Sequence, residues 1–168
     1  MTDRAAVTTL SVPTISFVVD GESVSQGSLT AIPTNRNWRT LPGIRWTIKD
    51  AKPELKPWRK KVADAALTAR GEAPLLEGPV AVEAVFVFGR PASHFGAGRN
   101  AGRLKEAAPF YVTSHQKGDL DKHLRSILDA LTGVLYHDDS QVTSAVASKV
   151  YGGESHVVVR VTRERTLQ

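Results

Sequence analysis

Two pairs of acidic residues lie in the central part of the chain, residues 117–141, on either side of one short amphipathic segment. Asp119 and Asp121 stand at its start, and Asp138 and Asp139 follow its end. Carboxylates held close together repel one another and raise each other's pKa, so a fold that gathers them usually holds a cation there. Oxygen ligands of this kind suit Mg²⁺ or Mn²⁺. The spacing therefore allows a divalent metal site built from these four acids.

The segment between the two pairs has the pattern of an α-helix. Its apolar residues recur with the helical period: Leu120, Leu124, Ile127, Leu128 and Leu131. Asp119 has the character of an N-cap, and Gly133 stands where a glycine commonly follows a helix. We therefore expect a helix from about Leu120 to about Thr132, docked by its apolar face.

Helix geometry limits how the acids can meet. Two helical residues two positions apart point about 200° apart, so Asp119 must precede the helix if it is to share an ion with Asp121. The extended backbone of an N-cap permits that approach. A hairpin-like return after the helix would then bring Asp138 and Asp139 beside the first pair.

The same residues also have a purely structural interpretation. Asp119 would be a simple cap, and Asp138 and Asp139 would be turn residues. Asp121, Arg125 and Asp129, spaced four apart, would form a solvated stripe of ion pairs on the helix surface. The spacing of the residues alone does not exclude this interpretation.

The order of these elements resembles the signature of the RusA family of Holliday-junction resolvases. The matching elements are Asp119-x-Asp121, the basic Arg125, Asp129-Ala130-Leu131 and Asp138-Asp139-x-Gln141. The resemblance implies a homodimeric, Mg²⁺-dependent endodeoxyribonuclease that cuts branched DNA. It also implies that Asp119, Asp121 and Asp139 are catalytic, metal-binding acids, that Asp138 lies beside them at the metal, and that Arg125 assists at the phosphate.

Three positions depart from the usual family pattern. Arg125 stands where the family usually has Lys, Gly118 where it usually has Pro, and Lys122 where it usually has Asn. Arginine keeps the positive charge of lysine but presents it as a planar fork instead of a point cation. The role of position 125 therefore does not carry over unchanged.

The composition is that of one ordinary globular domain. We expect residues 1–168 to form a single domain with loose tails at 1–12 and 163–168. No apolar run is long enough to span a membrane, and the first residues lack the apolar core of a secretory signal. Cysteine is absent, which excludes disulfides, thiolate metal sites and cysteine nucleophiles. These features predict a cytoplasmic protein with no membrane partner.

Positive charge predicts a polyanionic partner. The net charge is +5, and the cations cluster in two segments, at 36–49 and 90–105. The first also carries Trp38 and Trp46 and would contact phosphates or bases, or else form a surface loop whose tryptophans enter the core. The long segment 90–117 has few periodic apolar residues and predicts a mobile DNA-contacting arm, with a tolerated insertion as the alternative. The cations expected to bind DNA are Arg90, Arg99, Arg103, Lys105, Lys117 and Lys122.

The remaining patterns predict an α+β fold, with a mixed or mostly antiparallel sheet of four to five strands and two main helices packed on it. Thr14–Asp20 reads as a strand, and a helix is expected from Pro57 to about Arg70. The apolar run Val80–Phe88 predicts a central strand covered on most of both faces. Alternation over 142–150 and 157–161, around a Gly-Gly turn, predicts a β-hairpin.

Three other functions were considered. A non-catalytic DNA-binding protein would use the acids structurally and the basic loops for affinity. A phosphatase of the haloacid-dehalogenase kind needs a hydrophobic strand directly before its first Asp, whereas His115-Gln116-Lys117-Gly118 precedes Asp119 here. An EF-hand is excluded because the third Asp and the glycine of its loop are missing. His94, His115 and His123 lack zinc-ligand spacing.

Overall fold

The structure is a computed structural model that describes residues 12–27, 29–33, 46–50 and 52–165, with 29–33 and 46–50 described by their backbone. The strands are β1 (Thr14–Asp20), β2 (Leu29–Pro33), β3 (Trp46–Asp50), β4 (Val80–Gly89), β5 (Val142–Gly152) and β6 (His156–Arg163). The two α-helices are α1 (Leu55–Arg70) and α2 (Leu120–Leu131). Short 3-10 turns lie at Ala92–His94, Gly98–Asn100, His115–Lys117 and Asp139–Gln141.

Four strands form a mixed sheet in the order β1-β6-β4-β5. Strand β5 runs parallel to β4, while β6 runs antiparallel to both β4 and β1. Strands β2 and β3 form a separate antiparallel pair. The predicted α+β class, with a four-stranded mixed sheet and two main helices, is confirmed.

The predicted hairpin between β5 and β6 is wrong. Strand β4 lies between the two strands, so the Gly152–Ser155 connection crosses over β4 instead of joining hydrogen-bonded neighbours. The period-two pattern identified both strands correctly, because alternation reports which faces of a strand are buried. It carries no information about which strand is the neighbour.

Both helices pack on one face of the sheet. Along β4, Val82, Ala84, Phe86 and Phe88 point into the core, whereas Glu83 and Val85 between them are exposed. The expectation that both faces of β4 would be covered is therefore wrong, although the strand is central. Helix α1 contributes Leu55, Trp58, Val62 and Ala66 to the same core. Helix α1 also packs against α2, which fixes the position of the acidic segment relative to the sheet.

Helix α2 has the predicted bounds, but its buried face is rotated from the predicted stripe. Its fully buried side chains are His123, Ser126, Ile127, Ala130 and Leu131. The remaining apolar residues of the stripe, Leu120, Leu124 and Leu128, are only partly buried at the margin of the core. The rotation places a histidine and a serine in the interior, where each needs a hydrogen-bond partner.

The segment 90–117 is locally ordered by three 3-10 turns and by isolated bridges between Phe95 and Leu104 and between Tyr111 and Val150. The side chains of the predicted basic segment at 36–49 lie outside the described residues, as do residues 1–11 and 166–168. Among the described helices, neither length nor apolar content is sufficient to cross a membrane.

Candidate active site at the two acidic pairs

Asp119 precedes α2 with an extended backbone, as the N-cap prediction required (φ −85°, ψ 144°). Its carboxylate does not cap the helix. Instead it accepts a hydrogen bond of 2.7 Å from Nζ of Lys122, one turn into the helix. That hydrogen bond and the charge of Lys122 lower the pKa of Asp119, and the charges of His115 and Lys149 add to the effect. Asp119 is therefore held as a carboxylate at neutral pH.

The turn before Asp119 depends on Gly118. Its φ is +74° and its ψ 171°, a region that essentially only glycine occupies. A Cβ there would lie 2.7 Å from Oγ of Ser25 and 3.1 Å from Nε2 of His123. Proline needs φ near −65° and could not adopt this backbone. Only glycine fits the turn that presents Asp119.

His123 holds that turn from inside the core. Its ring is 1 % exposed and lies against the rings of Phe86 and Phe88. Nε2 lies 2.6 Å from the carbonyl oxygen of Lys117, so Nε2 carries the proton and donates. Nδ1 then accepts from Oγ of Ser23 at 2.8 Å. Burial lowers the pKa of His123, which keeps the ring neutral in this arrangement.

Lys149 approaches the same turn from β5. Its Nζ donates a hydrogen bond to the carbonyl oxygen of Gly118, and its charge is one cause of the lowered pKa of Asp119. Sequence analysis missed both Lys149 and His123. The only available signal for His123 was its place four residues before Ile127, on the buried side of the helix. Nothing in the sequence indicated Lys149, because strand pairing brings it to the turn.

The second acidic pair is divided by its local structure. Oδ1 of Asp138 accepts a hydrogen bond of 2.9 Å from the backbone N–H of Ser140, which lowers the pKa of Asp138. The side chain of Gln141 completes a capping box by accepting from the backbone N–H of Asp138 at 3.2 Å. The side chain of Asp139, by contrast, is exposed and makes no hydrogen bond or ion pair within the described part of the chain. Asp138 caps the turn, and Asp139 is available to a ligand.

Gln141 also ties this turn to the loop that leads into β4. Its Nε2 donates to the carbonyl oxygens of Leu76 and Gly78, at 3.0 and 2.9 Å. Its Oε1 accepts from the backbone N–H of His137 at 2.8 Å. In the Asp-Asp-x-Gln element, Asp138 therefore caps the turn and Gln141 links the turn to the loop before β4. These two tasks explain why an Asp and a Gln occur at that spacing.

The chain returns along α2 after the turn, but only as far as the second half of the helix. The hydroxyl of Tyr136 donates to the carbonyl oxygen of Leu128 at 3.1 Å. Burial raises the pKa of Tyr136, and the charges of Asp139 and Asp129 raise it further. Asp121 lies eight residues before Asp129, about 12 Å along the helix axis.

The four acids are therefore not gathered as the spacing led us to expect. Within residues 12–27 and 52–165, no group of three or more His, Asp or Glu side chains is arranged to hold a metal ion. The chemistry of the donors nevertheless fits Mg²⁺, since all four side chains offer carboxylate oxygens. A cation already lies against Asp119, in the form of the Lys122 ammonium group.

The predicted ion-pair stripe on α2 is only partly present. Asp129 pairs with Arg59 of α1 and not with Arg125. Asp121 and Arg125 are both exposed, and neither makes an ion pair with another described residue. The exposed face of the first two turns of α2 thus presents one free carboxylate and, one turn later, one free guanidinium group.

The predicted DNA-binding cations differ in their availability. Lys117 pairs with both carboxylate oxygens of Glu22, and Lys122 pairs with Asp119. Arg90 and Lys105 donate to backbone carbonyl oxygens of their own loop. Arg99 and Arg103 are exposed and make no side-chain hydrogen bond or ion pair to the described residues. DNA binding by these six residues stays a prediction.

Comparison with known proteins identifies one family and one curated relative. The model of the family described as "Endodeoxyribonuclease RusA" matches residues 32–162, a range that contains both acidic pairs. The chain is also 27 % identical over 153 residues to the Bacillus subtilis (strain 168) protein named "Uncharacterized protein YqaN". That similarity covers 88 % of this chain and 94 % of the relative, so the two proteins share nearly their full length.

Proposed function

Because this chain belongs to the RusA family of endodeoxyribonucleases, we propose that it is a Mg²⁺-dependent endonuclease that resolves branched DNA, such as Holliday junctions, by paired hydrolysis of phosphodiester bonds. The observation that carries the proposal is that the family match spans α2 together with both acidic pairs. We also propose that the protein acts in the cytoplasm, the location expected from the sequence.

Asp119, Asp121 and Asp139 are the proposed metal-binding acids. Each carboxylate is exposed, and Asp121 and Asp139 have no protein partner among the described residues. Asp138 takes a lesser part, because its Oδ1 already accepts the hydrogen bond that caps its turn. A Mg²⁺ held by these carboxylates would supply Lewis-acid chemistry, polarising the scissile phosphate and lowering the pKa of a water molecule.

The side chains around these acids have distinct proposed tasks. Asp119 would hold a metal only after its bond to the Lys122 ammonium group is broken, and Lys122, one turn into α2, would then be free to contact a phosphate. Arg125, exposed one turn after Asp121, offsets negative charge that develops on the phosphate. His123 and Lys149 hold the Lys117–Gly118 turn and so orient Asp119. Hydrolysis by an activated water needs no Ser or Cys nucleophile.

The proposed assembly is a homodimer with two-fold symmetry. A four-way junction presents two equivalent strands to be cut, and a two-fold dimer presents two equivalent sites. Paired cleavage follows from that match of symmetries. The family resemblance supports the dimer.

A non-catalytic DNA-binding protein is the second candidate. The observation in its favour is that the acids of the described residues do not form a ready-made metal site. In that case Asp138 would remain a cap, Asp119 would remain paired with Lys122, and the basic residues would supply affinity alone.

One assay separates the two candidates. Purified protein is incubated with an end-labelled synthetic four-way junction or a matched linear duplex, each with Mg²⁺ or with a chelator. The proposed nuclease nicks the junction symmetrically in Mg²⁺ and leaves the duplex intact, and the chelator abolishes cleavage. Binding of the junction without cleavage at any Mg²⁺ or Mn²⁺ concentration would favour the non-catalytic candidate.

A further inference from the structure

Two exposed aromatic residues, Phe110 and Tyr111, lie nine and eight residues before Asp119. Phe110 is 58 % exposed and Tyr111 62 % exposed, and their rings meet edge to face with centroids 5.0 Å apart. The next residue, Val112, is buried. The chain thus enters the core directly after leaving two large apolar side chains in solvent, an arrangement that folding alone does not require.

The backbone of this aromatic pair is fixed to the sheet. The N–H of Tyr151 donates to the carbonyl oxygen of Phe110 at 2.8 Å, and the N–H of Val112 donates to that of Lys149 at 3.0 Å. These bonds add Phe110–Val112 to the outer edge of β5, and Tyr111 bridges Val150 in antiparallel register. The rings are therefore carried by a short added strand and not by a free loop.

The bridged segment is linked to the turn before Asp119 through Lys149. Tyr111 lies opposite Val150, one residue or about 3.3 Å from Lys149 along β5. The side chain of Lys149 reaches the carbonyl oxygen of Gly118, and its charge acts on the Asp119 carboxylate. Lys149 therefore connects the bridge at Tyr111 with the turn that presents Asp119.

The segment that carries the pair is rich in positive charge. The segment 90–117 contains five Arg or Lys residues and one acid, Glu106. Arg90 donates to the carbonyl oxygen of Pro109 at 2.8 Å, directly beside Phe110. Exposed rings next to cations that can follow a phosphate backbone are the chemistry with which proteins bind unpaired nucleotides. A protein partner would fit the exposed rings, but the excess of positive charge favours DNA.

We propose that Phe110 and Tyr111 form a stacking platform for nucleobases that have lost a stacked neighbour, so that the protein prefers DNA opened at a branch point over continuous duplex. This inference rests on the proposed function, because the branched DNA would be the substrate. It names the feature of that substrate that the protein recognises, which is the exposed base at the branch point. Bases in a continuous duplex are already stacked on each other and gain nothing from the rings. Bases exposed at a branch point gain a stacking partner when they contact the rings.

The test measures binding in a chelator, so that it does not depend on cleavage. The probes are a single-stranded 12-mer and a four-way junction, each with 2-aminopurine in place of one base, and a matched duplex. The Phe110→Ala/Tyr111→Ala variant should lose about ten-fold or more in affinity for the 12-mer and the junction. Its affinity for the duplex should change less than two-fold, because phosphate contacts are retained. Quenching of 2-aminopurine by the wild type should disappear in the variant.

Two further variants separate stacking from apolar contact. Leu104→Ala removes another exposed apolar side chain of the same segment, 50 % exposed, and should leave all three affinities unchanged. Phe110→Trp should retain affinity for the junction, whereas Phe110→Leu should lose it, because only the former keeps an aromatic face. An unchanged melting temperature establishes that each variant is folded.

The proposal is overturned if the double variant binds the junction like the wild type, or if it loses affinity for junction and duplex equally. It is also overturned if the double variant is monomeric where the wild type is a dimer, since the rings would then belong to a protein interface. Failure of the wild type to cleave any DNA would refute the nuclease function but would leave the binding result intact. The two failures are therefore distinguishable.

Discussion

Replacement of Gly118 by alanine tests how the turn before Asp119 is built. Two separate costs are expected. The backbone (φ +74°, ψ 171°) is strained for any residue with a Cβ, at a cost of about 1–3 kcal/mol. The new methyl group would also lie 2.7 Å from Oγ of Ser25. This oxygen accepts a hydrogen bond from Nζ of Lys52 and cannot turn away without breaking that hydrogen bond. Such crowding costs about 1–3 kcal/mol more.

A matched control isolates the second cost. Gly71, which ends α1, also has a backbone that favours glycine (φ 58°, ψ −134°), but a Cβ there would meet nothing within 4 Å. Gly71→Ala should therefore show the backbone cost alone. We expect Gly118→Ala to be less stable than Gly71→Ala by about 1–3 kcal/mol in the free energy of unfolding, measured by urea denaturation. Only Gly118→Ala should impair junction cleavage.

Removing the obstructing hydroxyl should recover part of the loss. In a Ser25→Ala background the nearest atom is gone, while Cβ of residue 25 and Nε2 of His123 remain at 3.1 Å. Gly118→Ala should then cost less than in the wild type, with a coupling of about 0.5–3 kcal/mol. If Gly118→Ala and Gly71→Ala lose the same stability in both backgrounds, the close approach inferred for this turn is refuted.

Three other substitutions test the surroundings of the acids. Gln141→Ala should lower the free energy of unfolding by about 1–3 kcal/mol, because it removes hydrogen bonds to two backbone segments. Thermal denaturation measures this loss of stability, with Ser140→Ala as the control. Lys122→Asn should raise Mn²⁺ affinity by up to about five-fold in calorimetric titration, since Lys122 competes for Asp119; an unchanged or weaker affinity contradicts that competition. Because the folded-state pKa of His123 is below its unfolded value near 6.5, stability should be complete above pH 6.5 and fall as the pH drops towards 5. His123→Gln should show a smaller fall over that range in urea denaturation, and an identical fall argues that another group is responsible.

Local patterns predicted the elements that carry the acids. The predicted bounds of strand β1 and helix α2 agree with the observed bounds to within one residue. They could be predicted because the periodicity of a helix and the turn residues after a strand are local properties of the sequence. The N-cap conformation of Asp119 followed from the same local logic. The partner of its carboxylate did not, because an N-cap Asp can bind a helix N–H or a lysine one turn on.

Features that depend on contacts distant in sequence could not be predicted. His123 has its partner Ser23 a hundred residues away, and Lys149 reaches Gly118 only because β5 lies at the edge of the sheet. The difference between Asp138 and Asp139 depends on which carboxylate turns back to cap its own loop. Sequence alone treats the two as equivalent, and it also could not show that the return after α2 stops at the second half of the helix.

The central claim is that the acids at the start of α2 are needed for cutting and not for holding DNA. The most direct measurement compares Asp121→Asn with the wild type, using Asp64→Asn, an exposed acid of α1, as the control. Single-turnover cleavage of a four-way junction in Mg²⁺ should fall about 100-fold or more for Asp121→Asn, while its affinity for the junction stays equal or rises. Cleavage by Asp121→Asn at the rate of Asp64→Asn, or a parallel loss of binding and cleavage, would contradict the account.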